Sequence, residues 1–142
     1  HVMANPPFQK AGTSRPSPDP VKATATVEGA AKLVDWVACA AALTRPGGTV
    51  TFIHHAGRAE ELAALMGDAL GMVRVLPFAA REGAGAPVRV LVQGTKGALG
   101  ESRIFPPVIL HRADGAYCVD IDRVLRGRAT LNLAETGRVS TD

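Results

Sequence analysis

Asn5, Pro6, Pro7 and Phe8 stand together at the end of a short apolar run, His1-Val2-Met3-Ala4. These residue types in that order can hold a planar amine. Consecutive prolines fix φ and remove two backbone donors, so the turn is stiff and its carbonyls are left as acceptors. The Asn5 amide oxygen and the Pro6 carbonyl can then take both hydrogens of an exocyclic amino group, while Phe8 lies against the ring that carries it. Such an amine is a poor nucleophile, because its lone pair is delocalised into the ring. Drawing its hydrogens out of the ring plane favours a tetrahedral nitrogen that can accept a methyl group, by positioning and electrostatics rather than by a strong base. The same residues also read simply as a proline-rich turn after a strand.

The motif resembles the (N/D)PP(Y/F) signature of class I methyltransferases that act on the amino nitrogens of adenine, of guanine or of a glutamine side chain. Further along, VEGAAKLVDWVACAAALTRPGGTVTFIHHAGRAEELAALM, RVLPFAAREGAGAPVRVLVQGTKG and FPPVILHRADGAYCVDIDRVLRG are similar, in order and spacing, to the second half of one bacterial family. That family methylates an adenine amino group in the anticodon loop of the valine tRNA. The likeness spans roughly residues 1 to 128. Phe8 stands where tyrosine is more usual and keeps the stacking; Gln9 stands where a second aromatic is often found.

The resemblance implies an α/β fold: the C-terminal half of a Rossmann-like class I methyltransferase sheet, with parallel strands and crossover helices followed by an antiparallel hairpin. It implies S-adenosylmethionine as methyl donor, RNA and in particular tRNA as partner, and a catalytic role for Asn5, Pro6, Pro7 and Phe8, with Asn5 also touching the cofactor. In that family most of the cofactor site lies on the first three strands, with a glycine-rich turn after the first and an acidic residue after the second. The sequence in hand enters at the fourth strand. Its glycine clusters, Gly83-Ala84-Gly85 and Gly94-Thr95-Lys96-Gly97, fall in segments that read as hairpin loops rather than between an opening strand and a helix. The expectation is therefore a piece of a longer enzyme with the first three strands missing, inactive alone, in which residues 1–131 form the methyltransferase part and 132–142 fray. Rival acceptors are a guanine amine in ribosomal RNA and a protein glutamine amide. A rival of another class is a non-catalytic RNA-binding module.

Composition bounds these readings. The chain has 142 residues, 46% of them apolar and 20% charged, which suits one globular unit. Aromatics make up only 4%, so the core must come from Val, Leu, Ile and Ala. No apolar run is long enough for a membrane span, and a cytoplasmic setting is expected. Cys39 and Cys118 lie in apolar stretches and read as buried free thiols. The histidines lack metal-ligand spacing, so no metal is expected. Net charge is +3, but from Arg74 to Arg128 nine Lys or Arg face five Asp or Glu, a bias that suits a phosphate backbone and equally an ordinary solvated surface.

The elements that must position the motif are read from pattern. His1 to Ala4 is too short for periodicity and is assigned as a strand because the motif stands at its end. Residues 9 to 26, with Pro16, Pro18 and Pro20, form a loop expected to be mobile over the active-site mouth, where Lys10, Arg15 and Lys22 can meet RNA phosphates. A helix is predicted from near Val27, capped by Thr26, with Leu33, Val37, Ala40 and Ala41 as its apolar stripe and Arg45-Pro46-Gly47-Gly48 as its stop. Thr49 to His55 reads as a central strand, and His54 or His55 at its end borders the pocket or merely caps the strand. A second helix is predicted from about Arg58 to Leu70, ended by Gly71. Strands over 72–80 and 86–94 pair as a hairpin. Beyond them come a glycine-containing loop, a short hairpin or extended arms around Ala113-Asp114-Gly115, a helical turn over 120–126, and a polar tail from about Asn132. The apolar run from His1 to Ala4 also predicts an exposed edge through which copies can associate.

Overall fold

The β-branched run Thr49–His55, buried on both faces at Val50, Thr51 and Phe52, builds the strand around which the other elements assemble. In the computed structural model, which describes residues 1–7, 31–83, 85–134 and 137–140, this strand is β2. Val2–Ala4 forms β1 and pairs with it in parallel, Val2 against Val50 and Ala4 against Phe52. Between them runs helix α1, Leu33–Leu43. Its buried stripe is Leu33, Val37, Ala40 and Ala41, as its spacing predicted. Its start differs from the expectation. Thr26 and Val27 lie outside the described residues, but Ala31 and Lys32 are not helical, so no unbroken helix reaches α1 from Val27. The Asp35 carboxylate accepts the Lys32 N–H at 2.8 Å, satisfying an orphan donor of the first turn and favouring an extended Lys32.

A 3₁₀ turn, Ala56–Arg58, leads from β2 into helix α2, Ala59–Ala69, which buries Leu62 and Met66. Gly71, at φ +92°, turns the chain after the helix into β3, Arg74–Ala79. β4, Arg89–Thr95, returns antiparallel to β3, as predicted, and also antiparallel to β2 along its whole length. The sheet order is therefore β1-β2-β4-β3, so the latest of these strands is inserted between two earlier parallel ones. Short strands β5, Arg103–Ile104, and β6, Val108–Ile109, both lie parallel to β3.

Successive strand residues face opposite sides of a sheet, and both faces are covered. On one side Val50, Phe52, Val75, Val90 and Val92 pack with α1 and α2. On the other, Leu76 packs with Phe105 and Leu133, joined by Phe78, Leu91, Val108 and Leu131. Leu133 comes from the segment expected to fray. That tail instead carries strand β8, Arg138–Ser140, paired antiparallel with β7, Thr130–Asn132. Gly137 makes the turn possible: its φ is +63°, and a Cβ there would overlap the Phe105 ring. Polar composition concealed this hairpin because a few apolar residues and one glycine suffice to dock it.

The intervening helix α3, Val119–Leu125, buries Ile121. The arms before it meet at an antiparallel bridge between His111 and Tyr117, as predicted. At its end the Arg126 guanidinium, 2.7 Å from Asp122, holds that exposed carboxyl below its ordinary value. Both cysteines are free, but Cys39 lies on the exposed side of α1 rather than in the core, and Cys118 is half-buried. Among the described residues no helix is long and apolar enough to cross a membrane, and no group of three or more His, Cys, Asp or Glu converges.

Candidate functional site at the tip of β1

Because β1 runs parallel to β2, both strands deliver their carboxyl ends to the same edge of the sheet. This is where open α/β sheets bind ligands. Asn5, Pro6 and Pro7 leave β1 there, beside the last residues of β2. The placement is pinned at both ends. At the start, the Thr49 N–H donates to His1 Nδ1 at 3.3 Å, and the Thr49 hydroxyl lies 2.8 Å from the same nitrogen. At the tip, His54 Nε2 lies 3.4 Å from the Pro7 carbonyl, a long hydrogen bond that requires the proton on Nε2.

The residues of the tip divide by exposure. Pro6 is fully buried, and His54 beneath the turn is only 1% exposed. Asn5 is exposed, and its amide bonds to no other described residue, so an acceptor oxygen is left open on a stiff support. His55 has a different task from its neighbour: its Nδ1 accepts the Gly57 N–H at 3.2 Å and caps the 3₁₀ turn. Of the two histidines, then, one caps the strand end as the plainer reading held. The other, His54, is buried against the proline turn.

The structure thus brings together Asn5, Pro6 and Pro7 and adds His54. Phe8, Lys10, Arg15 and Lys22 lie outside the described residues, as does the whole loop over 9–26 expected over the mouth. His54 carried one legible signal, a histidine at the carboxyl end of a central strand. Its contact with Pro7 spans 47 positions of sequence and depends on the strand register.

The S-adenosylmethionine implied by the motif fits what is present in one respect: an exposed oxygen acceptor at a parallel strand's carboxyl end. The described residues wall that position on the β2 side. β1 is the outermost strand of the described sheet.

No family model matches the chain, and no curated protein matches it. Among solved structures it is similar to a crystal structure from Agrobacterium tumefaciens described as a predicted O-methyltransferase. The TM-score is 0.67 and the identity 26%, over 90% of this chain and 51% of that one. The chain spans about half the length of that neighbour. The architecture is accordingly α/β and corresponds to part of a Rossmann-like methyltransferase domain. The likeness supports a methyltransferase in general, and with it a cofactor of the S-adenosylmethionine type, without reaching the kind of acceptor.

Proposed function

We propose that this chain is the C-terminal part of an S-adenosylmethionine-dependent methyltransferase that modifies the exocyclic amine of adenine in RNA, probing an unpaired base such as one in a tRNA anticodon loop. The observation that carries the reading is the open Asn5 amide beside a proline turn, held at the carboxyl end of β1. Asn5 Oδ1 and the Pro6 carbonyl accept the two amine hydrogens, and Phe8 stacks on the base, a contact worth about 1–3 kcal/mol. His54 acts through the turn, holding the Pro7 carbonyl and so the direction of the tip. The cofactor supplies an electrophilic methyl group. The nitrogen–carbon bond would form as the cofactor's sulfur–carbon bond breaks, the neutral thioether leaving with that electron pair, and the cationic nitrogen would then release its proton to water, so no general base is assigned.

The neighbour's description raises an oxygen acceptor as a second reading. A hydroxyl has a single hydrogen to offer and must lose it before attack, which calls for a base. His54 is the described base nearest the tip, and its Nε2 is turned to the Pro7 carbonyl. That engagement favours the amine.

The test is nucleoside analysis by mass spectrometry after incubating unmodified tRNA, labelled S-adenosylmethionine and the protein translated from the complete gene. N6-methyladenosine is expected, and Asn5→Ala should lower the rate by about 10²-fold or more, the scale for losing one preorganised polar contact. Label on a ribose or phenolic oxygen, on guanine, or on a protein glutamine would overturn the acceptor assignment. The 142-residue chain alone should bind the cofactor with a dissociation constant weaker than about 10 μM, roughly −7 kcal/mol. Tighter binding by calorimetry would contradict its being a part.

A further inference from the structure

A second cleft, well removed in sequence from Asn5, opens between the turn after β3 and the arm after β6. Its volume is about 690 Å³, and Arg81, Glu82, Ile109, His111, Arg112 and Cys118 contribute to its lining. The walls are fixed by backbone bonds. Leu110 and His111 donate to the carbonyls of Ala79 and Ala80 at 2.9 and 3.0 Å, docking the arm along the end of β3. Arg112 and Cys118 donate to Ala116 and Leu110 at 2.8 and 2.9 Å, closing the arm on itself.

Two features in and beside this cleft point to a ligand. Arg81 is exposed and pairs with no described carboxylate, while Arg112 reaches Asp114 at 3.0 Å in a pair more than half exposed on both sides. Such a pair holds weakly, and a guanidinium readily exchanges it for the two oxygens of a phosphate. The His111 ring stacks on Tyr117, centroids 4.5 Å apart and planes at 27°, and Tyr117 stays 45% exposed. Glu82 is the carboxylate of the lining and opposes an anion.

We propose that this cleft holds one unpaired nucleotide of RNA, its phosphate between Arg81 and Arg112 and its base on the open side of the His111–Tyr117 stack. Guanidinium groups beside an aromatic platform are the chemistry of single-stranded nucleic acid recognition. The proposal rests on the RNA reading above and gives it a holding point separate from the methylated base.

The test is fluorescence anisotropy of a short labelled single-stranded RNA with the 142-residue chain. Arg81→Glu and Arg112→Glu should each weaken binding about fivefold at about 50 mM salt and flatten the salt dependence. Tyr117→Ala should weaken it about tenfold, and Glu82→Gln should tighten it about twofold. Arg45→Glu, a reversal on the exposed turn after α1, should have a smaller effect than either cleft reversal. Unchanged affinity in both arginine variants, an equal loss from Arg45→Glu, no binding by the wild type, or displacement by inorganic phosphate as effective as by unlabelled RNA would each overturn the proposal. Unchanged binding in both arginine variants with amine methylation retained refutes this inference alone, and binding as described without amine methylation refutes the acceptor assignment alone.

Discussion

At the scale of single residues, two nitrogens, one on buried His54 and one on half-buried Lys96, carry more of the design than their positions in sequence suggest. His54 supports the proline turn from below, so His54→Gln should retain a donor and most of the turn's direction, whereas His54→Leu should lose it. The expected outcome is a lower kcat with little change in KM for His54→Leu, by about tenfold or more since small misplacements are amplified at a reacting centre, with partial rescue by glutamine. Equal kinetics in the two variants would show that the Pro7 contact does not matter. Lys96 acts on the scaffold instead. Its Nζ donates to the carbonyls of Ala41 and Thr44 at 2.7 and 2.8 Å, placing a cation on the orphan carbonyls that end α1. Lys96→Met keeps the stem and removes the charge, and should cost about 1.5–3 kcal/mol in denaturant unfolding. A midpoint shifted by less than a few tenths of a kcal/mol would mean that water replaces the cation fully.

At the scale of elements, the turn after α2 is the least forgiving place in the fold. Gly71 has φ +92°, and a Cβ there would overlap the Ala98 carbonyl oxygen. Backbone cannot move aside as a flexible side chain can, so Gly71→Ala should destabilise by at least about 1–3 kcal/mol, read as a lower thermal midpoint. An unchanged midpoint would mean that the α2–β3 connection relaxes freely. That glycine was legible in the sequence as a helix stop because glycine after an apolar stripe has a local meaning. The stripe of α1 and the positions of β2, β3 and β4 were legible for the same reason. Insertion of β4 between β2 and β3 was not, since strand order is decided by pairing across more than thirty positions rather than by any window of residues. The boundary of α1 at Leu33 was not legible because it rests on one carboxylate, Asp35, accepting the Lys32 N–H. The tail hairpin was missed because Leu131, Leu133 and Val139 are too few to make a pattern.

At the scale of the whole molecule, the open question is what lies along β1. Among the described residues it pairs with β2 alone, and Met3 on it is 80% exposed. An apolar outer strand with unpaired N–H and C=O groups is a template for another strand. Within a longer enzyme, on the reading above, further strands of the same domain would cover it. For the 142-residue chain by itself a second copy is the available partner, so its light-scattering mass should rise above 14.7 kDa with concentration. Met3→Lys should return the mass to the monomer value, because a charge on an edge strand opposes pairing without touching the β1–β2 register. The protein from the complete gene should stay monomeric under the same conditions. A mass of 14.7 kDa at every concentration would show that β1 is protected within this chain. It would then remove the main structural reason for expecting more of the sheet beside Asn5.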